Sequence, residues 1–309
     1  MKIVTLTLNP AFDMHCFAES FRPYHESHAH VTSRDAGGKG VNISRALCAV
    51  GRDNCAVVIV GRDNGDEFCR ELEKDGVRLA PLWVDGRIRE NITLHERANP
   101  ETRISFDGFA CPEDPLDDLR RCVGEVDADT LVTFTGSIPK GIAVARVLDL
   151  LGEWRDRGAH IVIDSRSVSL EDLLRFRPYL IKPNSDEAES YMNRPIATPD
   201  AAAEVALELY EGGVENVIIS LGGDGAVLAC RGGVFYAQAP HISVKSTIGA
   251  GDSMLAGFID AVAADLDFEA ALCHAVAFGT SSCLSEGTTP PHREDIARLE
   301  VGISVVRVR

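Results

Sequence analysis

Apolar, β-branched runs alternate with stretches of helical spacing along most of the chain, the pattern of a parallel sheet covered by helices. Lys2 to Leu8 is apolar with little alternation, as expected of a strand buried on both faces, and Ala56 to Val60 repeats it. Helices are predicted over Val41 to Val50 and Gly65 to Asp75. After Pro112 the rhythm continues with helix Glu113 to Val123, strand Thr130 to Thr135, helix Ala143 to Arg157 and strand His160 to Asp164. A short helix from Ser169, strand Tyr179 to Ile181, helix Ala201 to Glu211 and strand Asn216 to Ser220 follow. Ala226 to Cys230 and Gly233 to Gln238 read as a hairpin through Arg231-Gly232. Helices over Met254 to Ala264 and Phe268 to Leu284 precede a tail, Pro290 to Arg309, of one short helix and a closing strand.

Two stretches break the rhythm. Val77 to Val84, Arg89 to His95 and Thr102 to Phe106 read as extended segments separated by Asp85-Gly86 and Asn99-Pro100. Met14 to Arg34 shows no helical period and carries Pro23, His15, His25, His28 and His30. Together, segments of about 14–34 and 77–107 are expected to form a small sheet projecting from one domain that spans 1–309. The three close histidines, His25, His28 and His30, share no fixed face and have no cysteine among them, so the histidines read as solvated loop or edge-strand residues.

With 309 residues, 45% hydrophobic and 25% charged, the chain has the composition of a soluble globular protein. A net charge of −16 argues against nucleic acid or an anionic membrane as partner. An anionic small substrate then requires a local basic pocket. The nine cysteines are odd in number, without CxxC or zinc spacing, and read as reduced, mostly buried thiols. Met1 to Asn9 reads directly as a strand and no run is long enough to span a bilayer, so a cytoplasmic location is expected.

Candidate chemistry gathers in loops. Thr247 to Ser253 places Gly249, Ala250 and Gly251 before Asp252 at a helix start, where free amides and the helix dipole favour an anion. A carboxylate there can take a proton from an attacking hydroxyl; taken alone, the stretch better suits an ordinary glycine-rich loop with an acidic first-turn residue. Gly37-Gly38-Lys39-Gly40 opens another helix and lets backbone and an ammonium converge on one anion, with Asn42 beside it. It lacks the spacing and the Ser or Thr of a Walker A loop. Asp13 follows the first strand's carboxyl end, where open α/β sheets bind ligands. Asn184 and Glu187, in Lys182-Pro183-Asn184-Ser185-Asp186-Glu187, either hold hydrated Mg²⁺ or cap their own helix.

The order of motifs is more specific than any one of them. Leu8-Asn9-Pro10-Ala11-Phe12-Asp13, Gly37-Gly38-Lys39-Gly40, Gly136-Ser137-Ile138-Pro139, Lys182-Pro183-Asn184 with Glu187, Ser220 with Gly222 and Gly225, and Gly249-Ala250-Gly251-Asp252 occur in sequence. From Met1 to about Arg293 the chain resembles the phosphofructokinase-B branch of the ribokinase superfamily, and within it the 1-phosphofructokinase and tagatose-6-phosphate kinase group. The resemblance implies a ribokinase-like three-layer α/β/α sandwich with a mostly parallel central sheet and a small projecting β-sheet lid. It implies Asp252 as base and Gly249, Ala250 and Gly251 as the amides around the transferring phosphoryl group. Asp13, Gly38, Lys39 and Asn42 would hold the sugar, with Arg89, Arg103, Ser137 and Lys39 on its phosphate. Lys182, Asn184, Ser220, Gly222 and Gly225 would bind ATP, and Asn184 and Glu187 Mg²⁺ through water. A monovalent cation and a homodimer formed through the lid sheet are further implications.

The chain departs from the family pattern at Ile88, where Thr is usual, at Thr93, often a lysine, and at Asp164-Ser165-Arg166, commonly Asp-Thr-Ser. The expected reaction is phosphoryl transfer from ATP to a ketose phosphate. Fructose 1-phosphate is preferred over fructose 6-phosphate and tagatose 6-phosphate, which present a similar shape. A kinase for a neutral sugar would need no second basic cluster, and a non-catalytic sensor would not need Asp252.

Overall fold

The computed structural model describes residues 1–97, 101–111 and 113–309; the expected Asn99-Pro100 break and Pro112 lie outside them. In chain order the first half comprises β1 (Lys2–Thr7), β2 (Ala11–Ala18), β3 (Ala29–Gly37), α1 (Lys39–Ala49), β4 (Cys55–Gly61), α2 (Gly65–Lys74), β5 (Leu79–Val84), β6 (Arg89–Glu96), β7 (Thr102–Ile104), α3 (Leu116–Val123), β8 (Thr130–Thr135) and α4 (Val144–Asp156). The second half comprises β9 (His160–Asp164), α5 (Leu170–Phe176), β10 (Leu180–Ile181), α6 (Ser185–Met192), α7 (Pro199–Glu211), β11 (Val217–Ser220), β12 (Ala226–Cys230), β13 (Gly233–Ala237), α8 (Ala250–Ala263), α9 (Phe268–Ser282), α10 (Arg293–Glu300) and β14 (Val305–Arg307).

A ten-stranded sheet runs β14-β13-β12-β11-β10-β9-β8-β1-β4-β5. From β5 to β11 all pairings are parallel, and the remaining edge is antiparallel. Alternate side chains feed two cores. Val4, Leu6, Val132 and Phe134 join Phe68, Leu151 and Trp154 on one face. Ile3, Leu131 and Val162 join Ile43, Leu255, Phe258 and Val276 on the other. Burial of both faces explains why these strands read as continuous apolar runs rather than alternating ones. The result is the expected ribokinase-like three-layer arrangement.

The four-stranded second sheet, β3-β2-β6-β7, differs in its boundaries from the expected projection. Leu79–Val84 does not belong to it: after α2 the chain returns to the free edge of β4, and β5 pairs there in parallel from Leu79 to Val84. The small sheet therefore uses 11–18 and 29–37 from the first segment and 89–96 and 102–104 from the second. Nor are its histidines all solvated. His15 is 3% exposed, stacks on His95 at a centroid distance of 5.3 Å, and shares an Nδ1–Nε2 hydrogen bond of 3.0 Å with it. Pairing β2 in parallel with β6 sets these two residues on one inner face, which spacing within a single segment does not reveal. Among the described residues no group of three or more His, Cys, Asp or Glu side chains is arranged to hold a metal. The nine cysteines are free, four buried and five half-buried.

Candidate active site

The parallel strands end along one edge, and the loops leaving β1, β8, β9, β10 and β11 meet there with the starts of α1 and α8. They enclose a cavity of about 710 Å³ roofed on one side by the small sheet. Lining residues Thr7, Asn9, Asn42, Arg89 and Thr135 each keep one buried polar atom without a hydrogen-bond partner. Buried polar atoms normally find partners, so this cluster marks a polar ligand site.

Asp252 lies in the first turn of α8, 7% exposed. The N-cap Gly249, with φ 76°, has no side chain to cap the helix, which leaves the Gly251 and Asp252 amides for an incoming anion. Asn42 Nδ2 donates to Asp252 Oδ2 at 2.8 Å. Burial pushes the Asp252 carboxyl up to about 6, against the opposing pull of Lys39 and the Asn42 hydrogen bond. A carboxylate of that affinity for protons is matched to general-base work near neutral pH.

Asp164, at the end of β9, ties two lysines together. Lys39 Nζ donates to its Oδ1 at 2.9 Å, and Lys182 Nζ lies 3.5 Å from its Oδ2. Burial alone would raise Asp164, but the two ammonium groups hold it below the usual carboxylate range. Lys39, itself pulled down by burial, is held above its ordinary value by Asp164 and Asp252. A Cβ on Gly251 would stand 3.2 Å from Lys182 Nζ, so this ammonium sits against the start of α8. Gly38, with φ 120°, brings α1 so close to β1 that a Cβ would meet the Thr7 side chain at 2.9 Å.

The small sheet supplies the second basic group. Arg89 Nη2 donates to Asn9 O at 3.1 Å and to Ser137 Oγ at 3.4 Å, and Asn9 Nδ2 donates to Ser137 Oγ at 3.0 Å. Asp13 Oδ1 accepts from Asn91 Nδ2 at 3.0 Å and Arg103 Nη2 at 3.2 Å. Burial lowers Arg89, with Asp13 opposing and Arg103 reinforcing the shift. Two guanidinium groups held close together in this way favour an anionic ligand that neutralises both.

At the other end Asn184 and Glu187 form a full capping box. Glu187 N donates to Asn184 Oδ1 at 2.8 Å and Asn184 N to Glu187 Oε2 at 3.1 Å. Glu187 Oε1 also accepts from Arg166 Nε at 2.6 Å. Direct ligation of Mg²⁺ by both residues would dissolve the box. Ligation through water fits, because Mg²⁺ keeps most of its waters and takes one or two carboxylates besides the nucleotide phosphates. Ser220, bridged to Asn184, and Gly222 line the same end. Gly225 is absent from the lining; with φ 93° and Ala237 O only 2.0 Å from where a Cβ would stand, it shapes the turn between β11 and β12. Every other expected site residue lines the cavity.

Sequence reasoning missed four lining or bridging residues. Asn9 sits inside the motif whose expected site residue is Asp13. Asn91 lies two residues from Arg89, and that strand spacing was the signal that puts both on one face. Asp164 and Arg166 fall in a stretch noted only for its departure from the family pattern.

A model of the family described as pfkB family carbohydrate kinase matches residues 7–295. The 1-phosphofructokinase of Vibrio cholerae is 29% identical over 98% of this chain and 96% of its own length. That of Escherichia coli is 32% identical over 84% of this chain and 83% of its own. A crystal structure of Escherichia coli phosphofructokinase-2 in complex with substrates and products superposes with a TM-score of 0.90 at 26% identity, covering 98% of this chain and 99% of that one.

Proposed function

The chain belongs to the pfkB family of carbohydrate kinases, and on that footing we propose that it transfers a phosphoryl group from ATP to the free hydroxymethyl group of fructose 1-phosphate, giving fructose 1,6-bisphosphate and ADP. The observation that carries this reading is one cavity lined both by the start of α8 with Asp252 and by a second group, Arg89, Arg103 and Ser137, each suited to an anion. A neutral sugar would leave the second cluster without a purpose. The 1-phosphofructokinase relatives favour phosphate on C1, and the likeness to Escherichia coli phosphofructokinase-2, also solved in complex with fructose-6-phosphate, favours fructose 6-phosphate as the second reading.

In this reading Arg89, Arg103, Ser137 and Lys39 hold the phosphate already on the sugar, and Asp13, Gly38 and Asn42 orient its hydroxyls. Asp252, kept in register by Asn42, accepts the proton of the attacking hydroxyl, which typically contributes ~10²–10⁴-fold. The new sugar O–P bond forms as the bond from the γ-phosphorus to the departing ADP oxygen breaks, while amides at the start of α8 and the Lys182 ammonium face the developing charge. The Mg²⁺-nucleotide, when bound, supplies the transferable group and neutralises its phosphates. Asn184, Ser220 and Gly222 support that end, with Glu187 holding metal-bound water.

The small sheet is the proposed lid. Its exposed apolar residues, Val31 at 55% and Ile104 at 45%, support a second copy docking there as a homodimer. No helix among the described residues is long and apolar enough to cross a membrane. A coupled assay of ADP release with fructose 1-phosphate, fructose 6-phosphate, tagatose 6-phosphate, ribose and adenosine tests the proposal. The highest kcat/KM is expected for fructose 1-phosphate, and turnover of no phosphosugar would sink it.

A further inference from the structure

Among the described residues five basic side chains line the cavity, and four fall into two groups: Lys39 and Lys182 share Asp164, while Arg89 and Arg103 stand beside Asp13 and Ser137. The fifth, Arg166, belongs to neither group and meets Glu187 instead. Its backbone is held firmly. Ser165 Oγ donates to Gly136 O at 2.5 Å, Ser167 N donates to Ser165 Oγ at 3.2 Å, and Ile138 N donates to Ser167 Oγ at 3.2 Å. From this anchored turn the guanidinium reaches across to Glu187, with its side chain 75% exposed while that of Glu187 is 13% exposed. At this end the only other basic lining residue among those described is Lys182, already paired with a buried carboxylate. A nucleoside triphosphate carries about four negative charges, more than one partly neutralised lysine balances.

We propose that Arg166 binds the polyphosphate tail of the nucleotide, exchanging its ion pair with Glu187 for hydrogen bonds to phosphate oxygens and so setting nucleotide affinity. This rests on the kinase reading above. The exchange is favourable in direction. An ion pair with a largely exposed partner contributes little, whereas a guanidinium on phosphate makes bidentate, charge-assisted bonds roughly twice as strong as neutral ones. Departure of Arg166 also frees Glu187 Oε1 to accept from metal-bound water, so one movement provides both a phosphate contact and a metal-facing carboxylate.

Calorimetric titration of ATP, ADP, adenosine and fructose 1-phosphate into the wild type, Arg166→Ala and Arg166→Lys tests the assignment. Loss of one charge-assisted contact should weaken ATP and ADP by about tenfold in the alanine variant. Adenosine and fructose 1-phosphate should bind as before, and lysine should restore part of the loss. Unchanged ATP affinity would overturn the proposal, as would a loss confined to fructose 1-phosphate or shared equally by adenosine. A wild type that binds no ATP would instead refute the kinase reading.

Discussion

Replacing Asp252 by Asn removes the proposed base and also relieves a cost that can be worked from the structure. Burial raises this carboxyl from 3.8 to about 6, a difference of about two pH units. At 1.36 kcal/mol per unit, keeping the charge buried costs the folded state about 3 kcal/mol at pH 7. The sign follows from proton binding. Between about pH 4 and 6 the native state holds a proton that the unfolded chain has lost, so stability falls as pH rises through that window. An amide keeps the shape, leaves an oxygen to accept from Asn42, and never ionises. The variant should therefore melt higher than the wild type at pH 8, by roughly 5 °C on the usual scaling for large domains. The advantage should vanish by pH 4. In the same preparation kcat should drop by ~10²–10⁴-fold while ATP binding is retained. Scanning calorimetry from pH 4 to pH 8 with steady-state assays reads both effects. A melting difference independent of pH, or a kcat within a few-fold of the wild type, would refute the account of Asp252.

In the wild type, log kcat/KM should fall with unit slope below pH about 6, and the limb should disappear in no variant that keeps Asp252; a pH-rate profile with fructose 1-phosphate measures it. Arg89→Ala should raise the apparent KM for the phosphosugar at least tenfold with little change in KM for ATP, since Arg89 meets Ser137 and Asn9 and not the nucleotide end; equal KM values would remove it from the phosphate site. His274 joins α9 to α8 and α10 through Asp260 and Glu300, with Arg52 also on Asp260. Burial pulls His274 down, but those carboxylates hold it above 6.5, so its contribution to stability is complete below that pH and is lost as pH rises through the folded value. His274→Gln should accordingly lower the melting temperature at pH 6 more than at pH 9, by calorimetry, and an equal loss at both would show that its role is packing alone.

Much of the architecture is legible before any coordinates because a buried parallel strand and an amphipathic helix impose different periods on neighbouring residues. The strands at 2–7, 130–135 and 160–164 and the helices from 65, 144 and 268 follow from those periods. The failures occur where the partner of a strand decides its identity. Leu79–Val84 and Arg89–Glu96 are both extended and of mixed polarity, yet one pairs with β4 and the other with β2. No local signal separates them, because sheet membership is settled by where a crossover returns the chain.

The site divides in the same way. Glycine-rich loops before helices, a first-turn acid and basic residues within a net charge of −16 point to an anion-handling pocket from sequence alone, since those residue types state their chemistry wherever they fold. Which groups meet is a tertiary matter. Asn42 and Asp252 are 210 residues apart, and Lys39 and Asp164 are 125 apart. The raised carboxyl of Asp252 depends on its burial, and the pairing of two lysines on Asp164 depends on three strand ends converging. Sequence determined the kinds of chemistry available and the order of the elements that carry them. Only the packed fold decided distance, desolvation and partner, because those come from segments remote along the chain being brought to one edge of one sheet.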